Sequence, residues 1–267
     1  MVILKSEKDF SLSIILPTLN ESKNINFLVP KIFKEISDLK IKNYEFIVVD
    51  DNSTDDIEET IRKLILNGIN INLIIRDQKK SLPKSIWEGI KNSNFNYVMW
   101  LDADGSMSSS SVKMLIENQL KYPEKIFVGS RFVEGGGYKG TKLNQKSNLL
   151  NIYKNLKDSE DSFLAMVLSF IFNLTLSKLS KSNIKDMTSG FIIGKKNYFG
   201  SNSFLISNYG EYFVYLIKEL KKNKIEIIEV GYICELRIYG LSKTGSSMYN
   251  LFKIGLPYIK AAYKRRE

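Results

Sequence analysis

Residues 44–55 read Tyr44-Glu45-Phe46-Ile47-Val48-Val49-Asp50-Asp51-Asn52-Ser53-Thr54-Asp55. The run from Tyr44 to Val49 is largely apolar and does not alternate with polar residues, and it stops abruptly at two carboxylates and a turn. A strand of that pattern is buried on both faces, so it needs a layer of other structure above and below it. The same construction recurs at Tyr97 to Leu101, which ends in Asp102-Ala103-Asp104, and at Leu12 to Leu16, which is closed by Pro17 and a polar turn. Ile71 to Ile75 and Ile126 to Val128 read as further strands. Segments of helical spacing lie between them: Phe27 to Ile36, Asp55 to Leu66, Pro83 to Asn92 and Ser110 to Tyr122, with Pro83 suited to a first helical turn. Strands and helices in strict alternation predict an α/β fold, a mostly parallel doubly wound sheet. Ligands of such sheets bind outside the C-terminal ends of the strands. Both acidic clusters fall there.

The chain has 267 residues, enough for one large α/β domain or one domain with a tail. Its 39 basic and 29 acidic residues give a formal charge of +10, which points to an anionic partner. Nucleic acid, a phosphorylated ligand and an acidic lipid surface all qualify. The basic residues are spread along the chain, so nucleic acid is not expected. There is no histidine, which excludes histidine catalysis and histidine-ligated metals. The single cysteine, Cys234, excludes an intrachain disulfide and a thiolate cluster, and the chain reads as cytoplasmic. Met1 to Phe10 shows no signal-peptide pattern. The most apolar segment, Phe163 to Leu179, is interrupted by Asn173 and Lys178 and falls short of the ~20 clean residues of a membrane span. No transmembrane helix is expected, though this segment can lie in an interface.

In the second half, Glu134 to Leu143 carries Gly135, Gly136, Gly137 and Gly140 and reads as a mobile lid. Phe163 to Leu179 and Tyr209 to Lys221 read as helices, Phe191 to Ile193 as a strand, and Ile225 to Leu236 as one long strand. Residues 1–245 form one domain on this reading, with 246–267 as an amphipathic basic helix. In it Met248, Leu251, Phe252, Ile259 and Ala262 recur at helical intervals broken near Pro257, and Lys260, Lys264, Arg265 and Arg266 follow. Such a helix suits the anionic inner face of a membrane. It equally suits packing on the domain with a solvated basic end.

Asp102 and Asp104 flank one residue at a strand end. On extended backbone, residues two apart point the same way. Two adjacent carboxylates, with no histidine or cysteine to assist, suit a hard divalent cation such as Mg2+, which completes its shell with water and phosphate oxygens. A surface turn rich in aspartate is the plain alternative. Asp50, Asp51 and Ser53 can accept or donate hydrogen bonds to a base or a ribose. Alternatively, Asn52 or Ser53 caps the following helix, with Asp55 and Asp56 in its first turn. Both can hold.

Residues 12 to 131 resemble the GT-A fold of family 2 glycosyltransferases. The segments that carry the resemblance are Ile14-Ile15-Leu16-Pro17-Thr18-Leu19-Asn20-Glu21 with Asn24-Ile25, Ile47 to Asp55, Leu101-Asp102-Ala103-Asp104 and Val128-Gly129-Ser130-Arg131-Phe132. Asp186-Met187-Thr188-Ser189-Gly190-Phe191 and Arg237-Ile238-Tyr239-Gly240-Leu241-Ser242-Lys243 are similar to the dolichol-phosphate mannose synthase branch and extend the likeness to residue 245. The resemblance implies a nucleotide-sugar donor, a GDP- or UDP-sugar, and a polyprenyl phosphate acceptor. It implies that Pro17, Asn20, Glu21, Asp50, Asp51 and Ser53 line the nucleotide pocket. Asp102 and Asp104 would hold the diphosphate through Mg2+ or Mn2+. Arg131 would lie near the donor phosphates or the acceptor, Asp186, Ser189 and Gly190 would shape the sugar and acceptor side, and Arg237, Ser242 and Lys243 would bind the lipid phosphate or the diphosphate. Two departures stand out. Ser106 occupies a place where the family often has Gln, and Ser81-Leu82-Pro83 stands where Gly-Leu-Gly is usual.

The composition agrees with that chemistry. A phosphate monoester has a second pKa near ~6 and is anionic at neutral pH, so as a nucleophile it needs no strong base. An enzyme acting on a sugar hydroxyl would need a carboxylate base, for which Asp186 is the candidate; that is the alternative, a family 2 enzyme of polysaccharide synthesis. Intact Asp102 and Asp104 weigh against a catalytically dead nucleotide-sugar binder.

Overall fold

The structure, a computed structural model, describes residues 10–138, 141–142, 160–239 and 248–264. Gly240, Leu241, Ser242, Lys243, Arg265 and Arg266 lie outside these residues, as does the proposed boundary at 245/246. In chain order the elements are β1 (Ser11–Thr18), α1 (Ser22–Asp38), β2 (Asn43–Asp50), α2 (Ile57–Leu66), β3 (Ile71–Ile75), α3 (Leu82–Asn92), β4 (Tyr97–Trp100), α4 (Ser109–Lys121) and β5 (Ile126–Ser130). There follow β6 (Gly137–Tyr138), β7 (Thr141–Lys142), α5 (Glu160–Leu179), β8 (Ile192–Lys195), a 3-10 turn (Lys196–Tyr198), α6 (Asn202–Leu205), α7 (Tyr212–Lys222), β9 (Ile227–Gly231), β10 (Ile233–Cys234) and α8 (Met248–Tyr263).

The main sheet has seven strands in the order β3-β2-β1-β4-β8-β5-β9. Every pairing is parallel except those of β8, which runs antiparallel between β4 and β5. The unbroken apolar strands have the expected cause. Ile14, Phe46 and Val48 pack on one face with Ile25, Leu28 and Ile32 of α1 and Leu115 of α4. Ile15, Ile47 and Val49 pack on the other with Ile86 and Ile90 of α3 and Leu216 and Ile217 of α7. Alternate residues therefore serve two cores, and neither face is left for water.

Three expectations are corrected in the second half. Ile225 to Leu236 is not one strand: the ladder breaks at Tyr232, and β9 and β10 belong to different sheets. The break sits where Gly231 meets the 134–136 backbone so closely that a Cβ would lie 2.1 Å from the Glu134 carbonyl oxygen. The glycine-rich segment is not wholly loop, because β6 and β7 join β10 in a three-stranded sheet; Gly140 and Leu143 lie outside the described residues. The helix expected from Tyr209 starts at Tyr212, preceded by the short α6. At the C-terminus, Tyr258, Ala261 and Ala262 of α8 are buried with the α3/α7 core. Lys218 Nζ donates to the carbonyls of Ala261, Ala262 and Lys264, satisfying helix-end acceptors. Among the described residues no helix is long and apolar enough to cross a membrane.

Candidate active site

β4 ends at Trp100, and the chain then turns through residues 101–106, with Gly105 at φ +80°. The acidic pair therefore lies in a turn and not on extended backbone, which corrects the expected geometry and separates the two environments. Asp104 is buried; its Oδ1 accepts from the Ser106 amide at 2.9 Å and its Oδ2 from Arg237 Nη2 at 2.8 Å. Asp102 is exposed, and no described residue hydrogen-bonds its carboxylate. Although its edge meets solvent, enclosure by surrounding protein and the like charge of Asp104 push its acid up to about 7.

Arg237 arrives from 133 residues further along the chain. After β10 the backbone crosses back over the β4 turn: the Glu235 amide donates to the Ser106 carbonyl at 2.8 Å, and the Ile238 amide to the Asp104 carbonyl at 3.4 Å. Tyr239 and Asn24 exchange hydrogen bonds at 3.2 Å each way. Glycine suits position 105 because its φ is +80°, and a Cβ there would press on Ile238 Cδ1 at 2.6 Å. Arg237 Nη1 also reaches Glu21 Oε1 at 3.3 Å, and Glu21 is held by Asn24 Nδ2 at 2.5 Å. The structure thus brings Glu21, Asp102, Asp104 and Arg237 together.

The end of β2 is finished otherwise. Asp50, 1% exposed, accepts from Thr18 Oγ1 at 2.9 Å, the Ser53 amide at 2.7 Å and Ser53 Oγ at 2.5 Å. Asp51 forms a buried ion pair with Arg76 and accepts from the Ser81 amide at 2.7 Å. Both carboxylates expected at the nucleotide pocket turn inward onto protein partners. The outer surface here is Asn20, Asn52 and Thr54, with Pro17 and Ser53 partly exposed beside them. Nor does Asn52 or Ser53 cap α2, whose N-cap is Asp56 with no side-chain bond. Ser53 Oγ instead accepts from the Asn20 amide at 2.7 Å, Asn20 Oδ1 accepts from the Thr54 amide at 2.8 Å, and Asp55 accepts from the Ser22 amide at 2.8 Å. The loops after β1 and β2 are laced to each other.

On the far side of β4, Arg131 closes on Asp186. Nε donates to Oδ2 at 2.8 Å and Nη2 to Oδ1 at 2.7 Å, the fork geometry that suits guanidinium and carboxylate. Asp186 is fully buried and also accepts the Arg131 amide at 3.0 Å, while its own amide donates to Glu229 at 2.9 Å. Burial alone would lower the Arg131 pKa, but the Asp186 charge more than offsets it and keeps the guanidinium charged. Asp186, expected as the base of a hydroxyl-acceptor reaction, has both oxygens enclosed and paired with Arg131. It positions that arginine. Ser189 Oγ donates to the Gly129 carbonyl at 2.5 Å, and Gly190, at φ +66°, leaves room for the Tyr212 hydroxyl.

Sequence reasoning missed Arg76, Asn24, Glu229 and Tyr209. Tyr209 is exposed and lies within electrostatic reach of Asp102, Asp104 and Arg237. Asn24 stood in a segment of the resemblance without a role assigned to it, and Arg76 carried the signal of a charged residue immediately after the apolar β3.

The donors suit a hard cation. Asp102 offers a carboxylate that no described residue hydrogen-bonds beside that of Asp104, and the described residues hold no group of three acidic, cysteine or histidine residues fit for a metal. That fits Mg2+ or Mn2+ held jointly with phosphate oxygens, not an all-protein cage.

Comparison with known proteins agrees with this geometry. The family model described as Glycosyl transferase family 2 matches residues 13–201. The chain is 30% identical over 125 residues to dolichol-phosphate mannosyltransferase of Saccharomyces cerevisiae, covering 47% of this chain and 46% of that protein. It is 33% identical over 124 residues to the Pyrococcus furiosus protein of the same name, covering 46% of this chain and 34% of that one. The matched stretch thus spans less than half of each relative. Glucosyl-3-phosphoglycerate synthase from Mycobacterium tuberculosis, solved with Mn2+, UDP and phosphoglyceric acid, superposes with a TM-score of 0.61 over 97% of this chain and 79% of that chain, at 16% identity. The same enzyme with Mg2+ and UDP gives 0.58 at 15% identity, over 97% of this chain and 80% of that chain. At such identity the likeness is one of fold, and the GT-A fold expected from sequence is the fold of this chain.

Proposed function

The chain belongs to glycosyl transferase family 2, and from that premise we propose that it transfers a sugar from a GDP- or UDP-sugar to a polyprenyl phosphate, with inversion at the anomeric carbon and with Mg2+ or Mn2+ held at Asp102 and Asp104. The observation that carries the reading is the β4 turn. One carboxylate there has no hydrogen bond from a described residue, a second lies beside it, and an arginine from the far end of the domain pairs with the second and adds its charge near the first. The likeness to dolichol-phosphate mannosyltransferases supports a lipid phosphate acceptor, and the likeness to an enzyme solved with UDP and Mn2+ or Mg2+ supports a divalent cation with a nucleoside diphosphate.

The cation supplies charge neutralisation for the departing diphosphate. The chain's own residues do the rest. Pro17, Asn20 and Ser53 form the wall against the nucleotide, stiffened from behind by Asp50 and Asp51. Arg131, fixed by Asp186, offers an oriented positive charge on the acceptor side. Holding an already anionic phosphate in line behind the anomeric carbon is catalysis by position and electrostatics, and inversion follows from a single attack from the rear. Asp186, the base named for the hydroxyl-acceptor alternative, is buried and paired with Arg131, which favours the phosphate acceptor.

Membrane contact belongs to the same reading. Phe170, Ile171 and Leu174 on α5 and Leu256, Ile259 and Tyr263 on α8 are exposed, and these two helices pack together. Lys178, Lys181, Lys260 and Lys264 are exposed in or just after them, and juxtamembrane lysines contribute about 1 kcal/mol each at an anionic surface. Peripheral binding through this face would bring the domain to a lipid substrate. Co-sedimentation with anionic vesicles tests it: binding should fall as salt rises and fall again in Lys260→Glu/Lys264→Glu. A wild-type protein left in the supernatant at low salt contradicts it. The acceptor is tested by offering a panel of nucleotide sugars with a polyprenyl phosphate and, separately, a free glycan. Organic-soluble product is expected; transfer to the glycan alone refutes the assignment.

A further inference from the structure

We infer that the hollow where α5, α7 and α8 meet is a phosphate pocket, and that the phosphate it takes is the headgroup of an anionic lipid. This site presupposes the peripheral contact of α5 and α8 and needs nothing of the β4 turn. It lies away from that turn. The Tyr212 hydroxyl at the start of α7 accepts from Trp100 Nε1 at 2.9 Å, and Lys218 stands about 9 Å further along the helix. The hollow measures about 970 Å³, and its wall holds Lys181, Lys218, Lys260 and Lys264 with no carboxylate among the described residues. The ends of α5 and α8 also converge there, and a helix C-terminus carries partial negative charge that would turn an anion away. Two lysines cancel it. Lys218 Nζ donates to the carbonyls of Ala261, Ala262 and Lys264 at 2.7, 2.9 and 2.7 Å, and Lys221 Nζ donates to that of Lys181. Lys181, Lys260 and Lys264 are then surplus to the helix ends, exposed, and paired with no described carboxylate. A phosphomonoester carries about −1.5 to −2 charges at neutral pH, which these ammonium groups match.

Ser180 points the same way. It lines the hollow, is 9% exposed, and its Oγ has no hydrogen-bond partner among the described residues. A buried hydroxyl left unpaired is costly, and a phosphate oxygen beside it offers the acceptor it lacks. The rim of the hollow indicates the source of the phosphate. Leu179 and Tyr263 border it and are exposed, and Ile259 and Leu256 continue the exposed apolar surface from Tyr263 at helical spacing along α8. Apolar side chains at acyl depth with lysines at headgroup depth suit a bilayer surface better than a soluble ester.

Lys181 supplies a variant that spares the fold. At φ +50° it holds the left-handed position that ends α5, with its amide donating to the Lys178 carbonyl at 3.0 Å and the Ser182 amide to the Ser177 carbonyl at 2.9 Å, and glycine is the ordinary residue there. Lys40 and Lys224 share that conformation, so the strain by itself marks no site. It does mean that Lys181→Gly should melt no lower than wild type. Nor should Ser180→Ala, which removes a hydroxyl without a described partner. Both are compared with wild type by co-sedimentation with phosphatidylcholine vesicles that carry either phosphatidic acid or oleate at matched surface potential. Glycerol 3-phosphate is titrated calorimetrically without lipid. Wild type should bind the phosphatidic acid vesicles several-fold more tightly than the oleate vesicles, and glycerol 3-phosphate only weakly. Each variant should lose most of that preference with its fold intact. Equal binding to the two vesicles, or a preference that neither variant reduces, overturns the pocket and leaves a merely basic face. Glycerol 3-phosphate bound as tightly as the lipid overturns the assignment to a headgroup. Wild type that binds neither vesicle overturns the peripheral contact itself, and the headgroup with it.

Discussion

Two acidic clusters stand close together at the C-terminal edge of one parallel sheet, at the ends of β2 and β4, with only β1 between them. In sequence they look alike. In space they are opposites. Asp50 and Asp51 are turned inward, with each oxygen engaged by Thr18, Ser53, Ser81 or Arg76. Among the described residues Asp102 has no such partner, and Asp104 shares its outer oxygen with an arginine borrowed from a distant loop. A buried carboxylate that the protein itself satisfies is part of the scaffold. One left unsatisfied, beside another of its kind, stores an electrostatic cost that a ligand can relieve. The difference lies in how each charge is balanced, not in the residue type.

That contrast can be broken from either side. The largest effect is expected at the satisfied cluster. Arg76→Ala leaves Asp51 buried without its partner, and breaking a buried pair in this way costs about 3–5 kcal/mol of stability. Urea unfolding should show the loss as a lowered midpoint; a change under about 1 kcal/mol would mean the cluster is not scaffold. At the open cluster the expectation reverses. Asp104→Asn should unfold at nearly the wild-type midpoint while transfer falls by about 10²–10³-fold, the scale of losing one preorganised electrostatic contact.

The smallest effect is a gain. The Asp102 acid, 3.8 ordinarily, is raised to about 7 in the folded chain. The folded state therefore holds this proton more tightly than the unfolded state, and ionised Asp102 opposes folding. That penalty is absent below about 3.8, grows as pH rises, and is complete above about 7. Solvent at its exposed edge reduces the penalty, so Asp102→Asn should raise the melting temperature in chelator at pH 8 by only about 2–4 °C, the scale of 1 kcal/mol for a chain of this size. It should give no gain at pH 4. An equal gain at both pH values would assign it to something other than charge.

How much of this the sequence showed depends on the range of the contacts involved. The doubly buried strands were legible because each residue of Tyr44 to Val49 must meet one core or the other, and periodicity records that directly. Asp102 and Asp104 were legible as a site because a strand end fixes where they stand. What stayed hidden is set by partners far along the chain. Nothing near Tyr232 announces that the strand breaks there, because the cause is the 134–136 backbone against Gly231. Nothing near Asp186 shows that Arg131 seals it. The inward turn of Asp51 depends on Arg76 and Ser81, 25 and 30 residues away. Local chemistry named the candidates; long-range packing decided which of them face a ligand.

The most direct test of the contrast is Mn2+ binding in the presence of UDP or GDP, followed by electron paramagnetic resonance in wild type, Asp102→Asn, Asp104→Asn and Asp50→Asn. One nucleotide-dependent Mn2+ site is predicted in wild type, retained in Asp50→Asn and lost in both β4 variants. Retention of the site in Asp102→Asn and Asp104→Asn, or its loss only in Asp50→Asn, would contradict the assignment of the cation to the end of β4.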